Sequence, residues 1–138
     1  IQGIGVTHVL NAAQQLPNFH KESLVYHHAP MLDTPSEDLA PYRKQAVSFL
    51  QHVDEIKGRC LVHCIAGCSR SVSLVLLYLM EARRVNLRSA YTQVQHYRTI
   101  MQPNEGFRFQ LAMIEVELFG YSTVNKLQDK LWDFYKWN

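Results

Sequence analysis

Charge is scarce in this sequence. Asp, Glu, Lys and Arg make up 19% of 138 residues and leave a formal net charge of +2, so no broad basic face for nucleic acid or an anionic membrane is implied. Attraction of a charged ligand must then be local. No apolar run reaches the roughly 18 residues of a bilayer-spanning helix, and no signal-peptide pattern opens the sequence, so a soluble chain is expected. Cysteine is sparse as well, at Cys60, Cys64 and Cys68 only. That arrangement suggests thiol chemistry in a reducing compartment, cytoplasm or nucleus, in place of a disulfide scaffold. Repeats, low-complexity tracts and Gly/Ser linkers are missing too. One domain over residues 1–138 is expected, because 47% hydrophobic content supplies a single core.

What is present centres on residues 60 to 80. An apolar run of strand length, Cys60-Leu61-Val62-His63, ends at Cys64. The loop Ile65-Ala66-Gly67-Cys68-Ser69 follows, and Arg70 and Ser71 open an apolar helical run to Met80. A helix starting near Arg70 leaves unpaired N–H groups and roughly half a positive charge pointing into the loop, which suits an anion. Two anions fit. One is Cys64, since a thiol of free pKa about 8.5 falls to roughly 3.5–7.5 when it faces a helix N-terminus and a cation. The other is a phosphate cradled by the amides from Ile65 to Arg70 and clamped by the Arg70 guanidinium. Together they describe attack of sulfur on phosphorus. A buried cysteine ending a core strand is the plainer reading of Cys64, but it leaves the small loop residues, Arg70 and Ser71 unexplained. Zinc is disfavoured, because a strand separates Cys60 from Cys64 by about 13 Å, too far for one metal.

The pattern Cys-x5-Arg followed by Ser resembles the signature of the cysteine-based protein tyrosine phosphatases. The spelling His63-Cys64-x-Ala66-Gly67-x-Ser69-Arg70-Ser71 is similar to its dual-specificity branch, of the atypical kind. Tyr78-Leu79-Met80, Pro103-Asn104-x-Gly106-Phe107 with a helix after it, and Asp33 upstream agree with the resemblance, which covers about residues 4 to 119. It implies a phosphatase that needs no metal or cofactor, acting on phosphotyrosine and phosphoserine or phosphothreonine in a protein, a protein kinase among the candidates. Cys64 is then the nucleophile, and Ile65, Ala66, Gly67, Cys68, Ser69 and Arg70 the phosphate cradle. Asp33 is the general acid, with Glu37 or Asp38 as the alternative, and Ser71 donates to the thiolate. His63 and Asn104 support the loop. Relatives usually carry a further strand and short helix ahead of Ile1, so either the sequence starts inside the domain or the sheet edge differs.

Along the chain, Val6 to Asn11 and Ser23 to Ala29 read as strands. His8 is read as packed. His27 and His28, adjacent on a strand, face opposite sides, which disfavours a shared metal. Asp38 is the N-cap of a helix with Pro41 in its first turn, running to about Lys57 and stopped by Gly58. Asn86 caps a helix ending near Thr99, with Leu87, Ala90, Tyr91, Val94 and Tyr97 inward. Pro103 to Gly106 turns the chain, Phe107, Leu111, Ile114 and Leu118 face inward on the next helix, and Gly120 ends it. Thr123 to Tyr135 reads as one more amphipathic helix, a C-terminal extension over residues 121–138. It either covers the core or, through Trp132, Tyr135 and Trp137, offers a protein partner a surface. The fold class expected is α/β, a central and mostly parallel sheet flanked by helices, protein-tyrosine-phosphatase-like, with that extra C-terminal helix.

Two functional alternatives stand beside this reading. Ile65, Ala66 and Cys68 put no lysine in the loop, which disfavours the charged head groups of phosphoinositides and RNA 5′-phosphates. A non-catalytic phosphoprotein-binding module would be expected to have lost the nucleophile, whereas Cys64 and Arg70 are present. Cys68 raises a further expectation, a reversible Cys64–Cys68 link as an oxidative off-switch.

Overall fold

A computed structural model describes residues 5–18, 23–65, 69–97 and 102–124. Three short strands, β1 (His8–Asn11), β2 (Val25–His28) and β3 (Cys60–His63), form a parallel sheet in the order β2-β1-β3. His8 is opposite Val25 and Cys60, and Asn11 is opposite His28 and His63. All three carboxyl ends therefore finish at one edge, where α/β sheets present ligand sites. The central strand β1 is buried throughout, as expected of a strand paired on both sides and covered on its faces. The expected parallel α/β architecture is what the described residues form.

Four helices surround the sheet: α1 (Ala40–Glu55), α2 (Arg70–Glu81), α3 (Leu87–Tyr97) and α4 (Glu105–Phe119). Helix α2 touches α1, α3, α4 and β3. Its Leu74, Leu76, Leu77 and Met80 are fully buried, each contributing roughly 1.5–3 kcal/mol of hydrophobic stabilisation. A helix apolar nearly all round has to be central, and its first residues are thereby held rigidly beside the end of β3. Arg43 of α1 pairs with Glu81 of α2 at 3.2 Å and with Glu117 of α4 at 2.7 Å, joining three helices on one side.

Helix boundaries follow local chemistry. The N-cap of α1 is Leu39, one residue after the expected Asp38, and it makes no side-chain cap bond. Asp38 Oδ1 instead accepts from the Ala40 amide at 3.0 Å, and Pro41 falls in the first turn, where no backbone donor is needed. At the far end Lys57, with φ 56°, takes the left-handed position expected of Gly58. The Gly58 amide bonds Val53 O at 2.8 Å and the Lys57 amide bonds Asp54 O at 3.0 Å, the double closure of a Schellman end. Gly58 is needed for space instead: a Cβ there would lie 2.8 Å from Thr7 Oγ1. Gly120, with φ 81°, does close α4 in the left-handed region.

Three expectations need correction or narrowing. Tyr97 is 88% exposed and does not face inward, because it lies on the last turn of α3. Helix α4 begins at Glu105, so Gly106 is helical and not part of a preceding turn. Its Glu115 is fully buried, accepting from the Leu87 amide at 2.7 Å and the Thr123 amide at 2.8 Å. A carboxylate thus satisfies the start of α3, alongside Asn86 Oδ1, which accepts from the Ser89 amide at 2.9 Å. The amphipathic helix expected beyond Thr123 falls mostly on residues 125–138, outside the described residues. No helix among the described residues is long and apolar enough to cross a membrane.

Candidate active site

The site is built where β3 runs into α2. Cys64 follows the last strand residue and is 9% exposed. Its Sγ accepts from the Ser71 amide at 3.4 Å and lies 3.3 Å from Ser71 Oγ. A sulfur at the first turn of a helix, touched by an N–H and a hydroxyl, is in a setting that favours the thiolate. Cys60 shows the contrast. It is half-buried on β3 with burial pushing its thiol up to about 11, and its Sγ donates to Leu61 O at 3.6 Å. Of the expected cradle, Ile65 is exposed and Ser69 buried, while Ala66, Gly67 and Cys68 lie outside the described residues, and with Cys68 the expected oxidative link.

Arg70 is the first residue of α2 and is 3% exposed. Its Nη1 donates to Gln15 Oε1 at 2.6 Å and to Met31 O at 3.0 Å. Its Nε is buried with no partner among the described residues. A guanidinium offers five donors in a rigid fork, and here the side carrying Nε is unspent. An unsatisfied buried donor costs about 1–3 kcal/mol, more when charged, so the arrangement suits a bound anion.

Asp33 comes to the same site from the loop after β2. It is exposed, and Asn104 Nδ2 donates to its Oδ1 at 2.9 Å. The Asn104 amide donates to Ser69 Oγ at 2.9 Å, and Asn104 Oδ1 accepts from the Phe107 amide at 2.9 Å. One residue thus caps α4 and holds Asp33 through its side chain, and reaches the residue before Arg70 through its main-chain amide. The alternative acids are occupied locally. Glu37 accepts from the Leu32 amide at 2.7 Å and the Asp38 amide at 3.2 Å, and Asp38 accepts from Ala40. Gln110 of α4 holds the same loop, accepting from the Leu39 amide at 2.7 Å and donating to Glu37 O at 2.8 Å.

His63 makes no side-chain hydrogen bond within the described residues, and burial, with His28 nearby, holds its imidazole below the ordinary range. His28 Nε2 instead bonds Ala13 O at 2.7 Å, and His27 stacks on Phe49 with ring centroids 5.5 Å apart, the opposite-face arrangement expected. Sequence reasoning missed Gln15, Gln110 and the close approach of Gly106 to the acid loop, where a Cβ would lie 2.0 Å from Pro35 O. Gln15 is 55 residues from Arg70 and Gln110 is 73 from Glu37, and nothing in the local pattern marks either.

A parallel α/β sheet that ends in a cysteine, an anion-directed arginine and a helix start defines a protein-tyrosine-phosphatase-like fold. The family model for the dual specificity phosphatase catalytic domain matches residues 1–117, and the chain belongs to that family. Dual specificity protein phosphatase 14 from Homo sapiens is 38% identical over 128 residues, 93% of this chain and 65% of that protein. Dual specificity protein phosphatase 18 from Mus musculus is 34% identical over 126 residues, covering 91% of this chain and 67% of that protein. The chain therefore spans about two thirds of the length of these relatives. The crystal structure of human DUSP28 is similar with a TM-score of 0.80 at 31% identity, covering 85% of this chain and 79% of that one. A mouse putative dual specificity phosphatase complexed with zinc tungstate has a TM-score of 0.78 at 31% identity, with 84% and 73% covered.

Proposed function

We propose that the chain hydrolyses phosphomonoesters on proteins, at tyrosine and at serine or threonine, through a cysteinyl-phosphate intermediate. The observation that carries this reading is the buried Nε of Arg70, without a partner among the described residues, at the same helix start that the Cys64 sulfur meets. A phosphate bound there meets the donor, the helix start and the nucleophile together.

In the first step the Cys64 thiolate attacks phosphorus, the P–S bond forms, and the P–O bond to the leaving group breaks. Asp33 gives the leaving oxygen its proton. Its Oδ1 is engaged by Asn104, which leaves Oδ2 to carry that proton. In the second step water attacks phosphorus, Asp33 takes its proton, and the thiolate leaves with Ser71 Oγ donating to it. Arg70 and the loop amides hold the equatorial oxygens in both steps. A serine or threonine ester expels an alkoxide and depends on Asp33 more than a tyrosine ester does.

The substrate we assign is a phosphorylated protein, with a protein kinase as a candidate. The family resemblance supports it, and the loop without lysine argues against phosphoinositides or RNA 5′-phosphates. Residues 1–138 act in this reading as one catalytic domain, with 121–138 as an extension and candidate partner surface. A reducing compartment, cytoplasm or nucleus, keeps the thiol active.

Phosphate release is the test, from an aryl phosphate and from peptides phosphorylated on both Thr and Tyr, with chelator and reductant present, for wild type and Cys64→Ser. Turnover that resists chelator and vanishes in the variant is expected, and the peptide site that empties gives the specificity. Phosphopeptide binding without turnover in wild type would overturn the reading in favour of a binding module.

A further inference from the structure

We infer that Gln15 is a positioning residue that fixes the orientation of Arg70 for phosphate while leaving its charge unneutralised. The inference rests on residues 64–71 being a phosphate site, as proposed above.

The two acceptors on Arg70 Nη1, Gln15 Oε1 and Met31 O, both lie on the side of the guanidinium away from the Nε–H and Nη2 fork. They fix rotation of the group and leave that fork for two phosphate oxygens, consistent with Nε being buried and without a partner among the described residues. The loop that carries Gln15 is itself constrained from below. Asn11, fully buried at the end of β1, donates through Nδ2 to Leu16 O at 2.8 Å and Asn18 Oδ1 at 3.1 Å and accepts from the Ala13 amide at 3.0 Å. The Gln14 amide donates to Met31 O at 3.1 Å, so one carbonyl two residues before Asp33 accepts from both the Gln15 loop and Arg70.

The chemical type at position 15 decides what this contact does. A carboxylate there would hold Nη1 with a stronger, charge-assisted bond, but its charge would oppose a phosphate dianion at the same guanidinium. An apolar side chain would leave Nη1 with Met31 O alone. An amide oxygen orients without cancelling the cation. Glutamate is nearly isosteric with glutamine and keeps the acceptor, so a purely structural role predicts that Gln15→Glu behaves like wild type. A role in charge predicts weaker phosphate binding in a protein that is equally or more stable.

The experiment follows melting temperature and aryl phosphate turnover of the whole chain at pH 7 against increasing inorganic phosphate, for wild type, Gln15→Met and Gln15→Glu. Gln15 is exposed in a loop, so both variants should fold, and the phosphate-free melting temperature checks this. The expected result is that Gln15→Glu melts at or above wild type without phosphate, yet needs about tenfold more phosphate for the same rise in melting temperature and the same inhibition. Gln15→Met should be weakened less. The loss should appear in kcat/KM more than in kcat. Gln15→Glu matching wild type in phosphate affinity would overturn the role of Gln15 alone. A wild type that phosphate neither stabilises nor inhibits would overturn the phosphate site and this inference with it.

Discussion

Asn104 Nδ2 donates to Asp33 Oδ1 at 2.9 Å across 71 residues of sequence. The Asn104 amide reaches Ser69 Oγ at 2.9 Å from the same residue, so the proposed acid and the phosphate loop share one brace. In Asp33→Asn the carboxylic proton is gone while the hydrogen bond can remain. Turnover of a phosphothreonine peptide should fall by about 10²–10⁴, and that of an aryl phosphate by less. Equal rates for wild type and variant between pH 5 and 7 would remove Asp33 from the mechanism.

Asn104→Ala removes the cap of α4 and the brace together. Loss of the cap should destabilise the fold by about 1 kcal/mol, read in a urea melt. Loss of the brace should lower turnover of alkyl phosphates more than of aryl phosphates. Asn104→Ser, which caps as well but is too short to reach Asp33, should recover stability without recovering that ratio.

Gly106→Ala sets two effects against each other. Alanine favours a helix by about 1 kcal/mol over glycine, but its Cβ would lie 2.0 Å from Pro35 O, a backbone atom. The clash should win, moving the loop that carries Asp33. A phosphothreonine peptide should then lose roughly tenfold or more in kcat, with phosphate inhibition nearly unchanged.

Ser71→Ala deletes the hydroxyl 3.3 Å from Cys64 Sγ and keeps the amide contact. Hydrogen bonds to charged groups contribute about 1.5–3 kcal/mol, so iodoacetamide should label Cys64 several-fold more slowly at pH 6. Cys60, its thiol pushed up to about 11, should stay unlabelled in both proteins. Mass mapping of the modified cysteine separates the two.

Burial holds His8, His27 and His63 below the ordinary imidazole range, aided by His52 for His8 and by His28 for the other two. A base with a lowered folded pKa binds fewer protons folded than unfolded, so its contribution is complete above the unfolded value of about 6.5 and is lost as pH falls through the folded one. The urea midpoint should therefore drop on acidification from pH 7 to pH 5. Replacing His27 by glutamine should flatten the dependence.

The strand from Cys60 to His63 and the helix from Arg70 to Met80 were legible because each is specified locally by an apolar run. Pro41 marked the first turn of α1 for the same reason, although the N-cap is Leu39 and not Asp38. What escaped depends on distant partners. Glu115 is outside the inward stripe of Phe107, Leu111, Ile114 and Leu118, yet it is buried because the start of α3 and Thr123 supply its donors. Tyr97 fitted an inward stripe but is exposed on the last turn of α3. The hold of Gln15 on Arg70 becomes visible only once β1, β2 and α2 are brought to one edge of the sheet.

The contact between Gly106 and Pro35 also limits how this protein can change over generations. Every single-nucleotide change that replaces glycine with another amino acid adds at least a Cβ, and the Pro35 backbone stands where that Cβ would go. A lineage that leaves glycine here keeps full turnover only where the Pro35 backbone has already retreated, so substitutions in the acid loop are expected to come first. The order of permissible mutations is thus written into one helical turn.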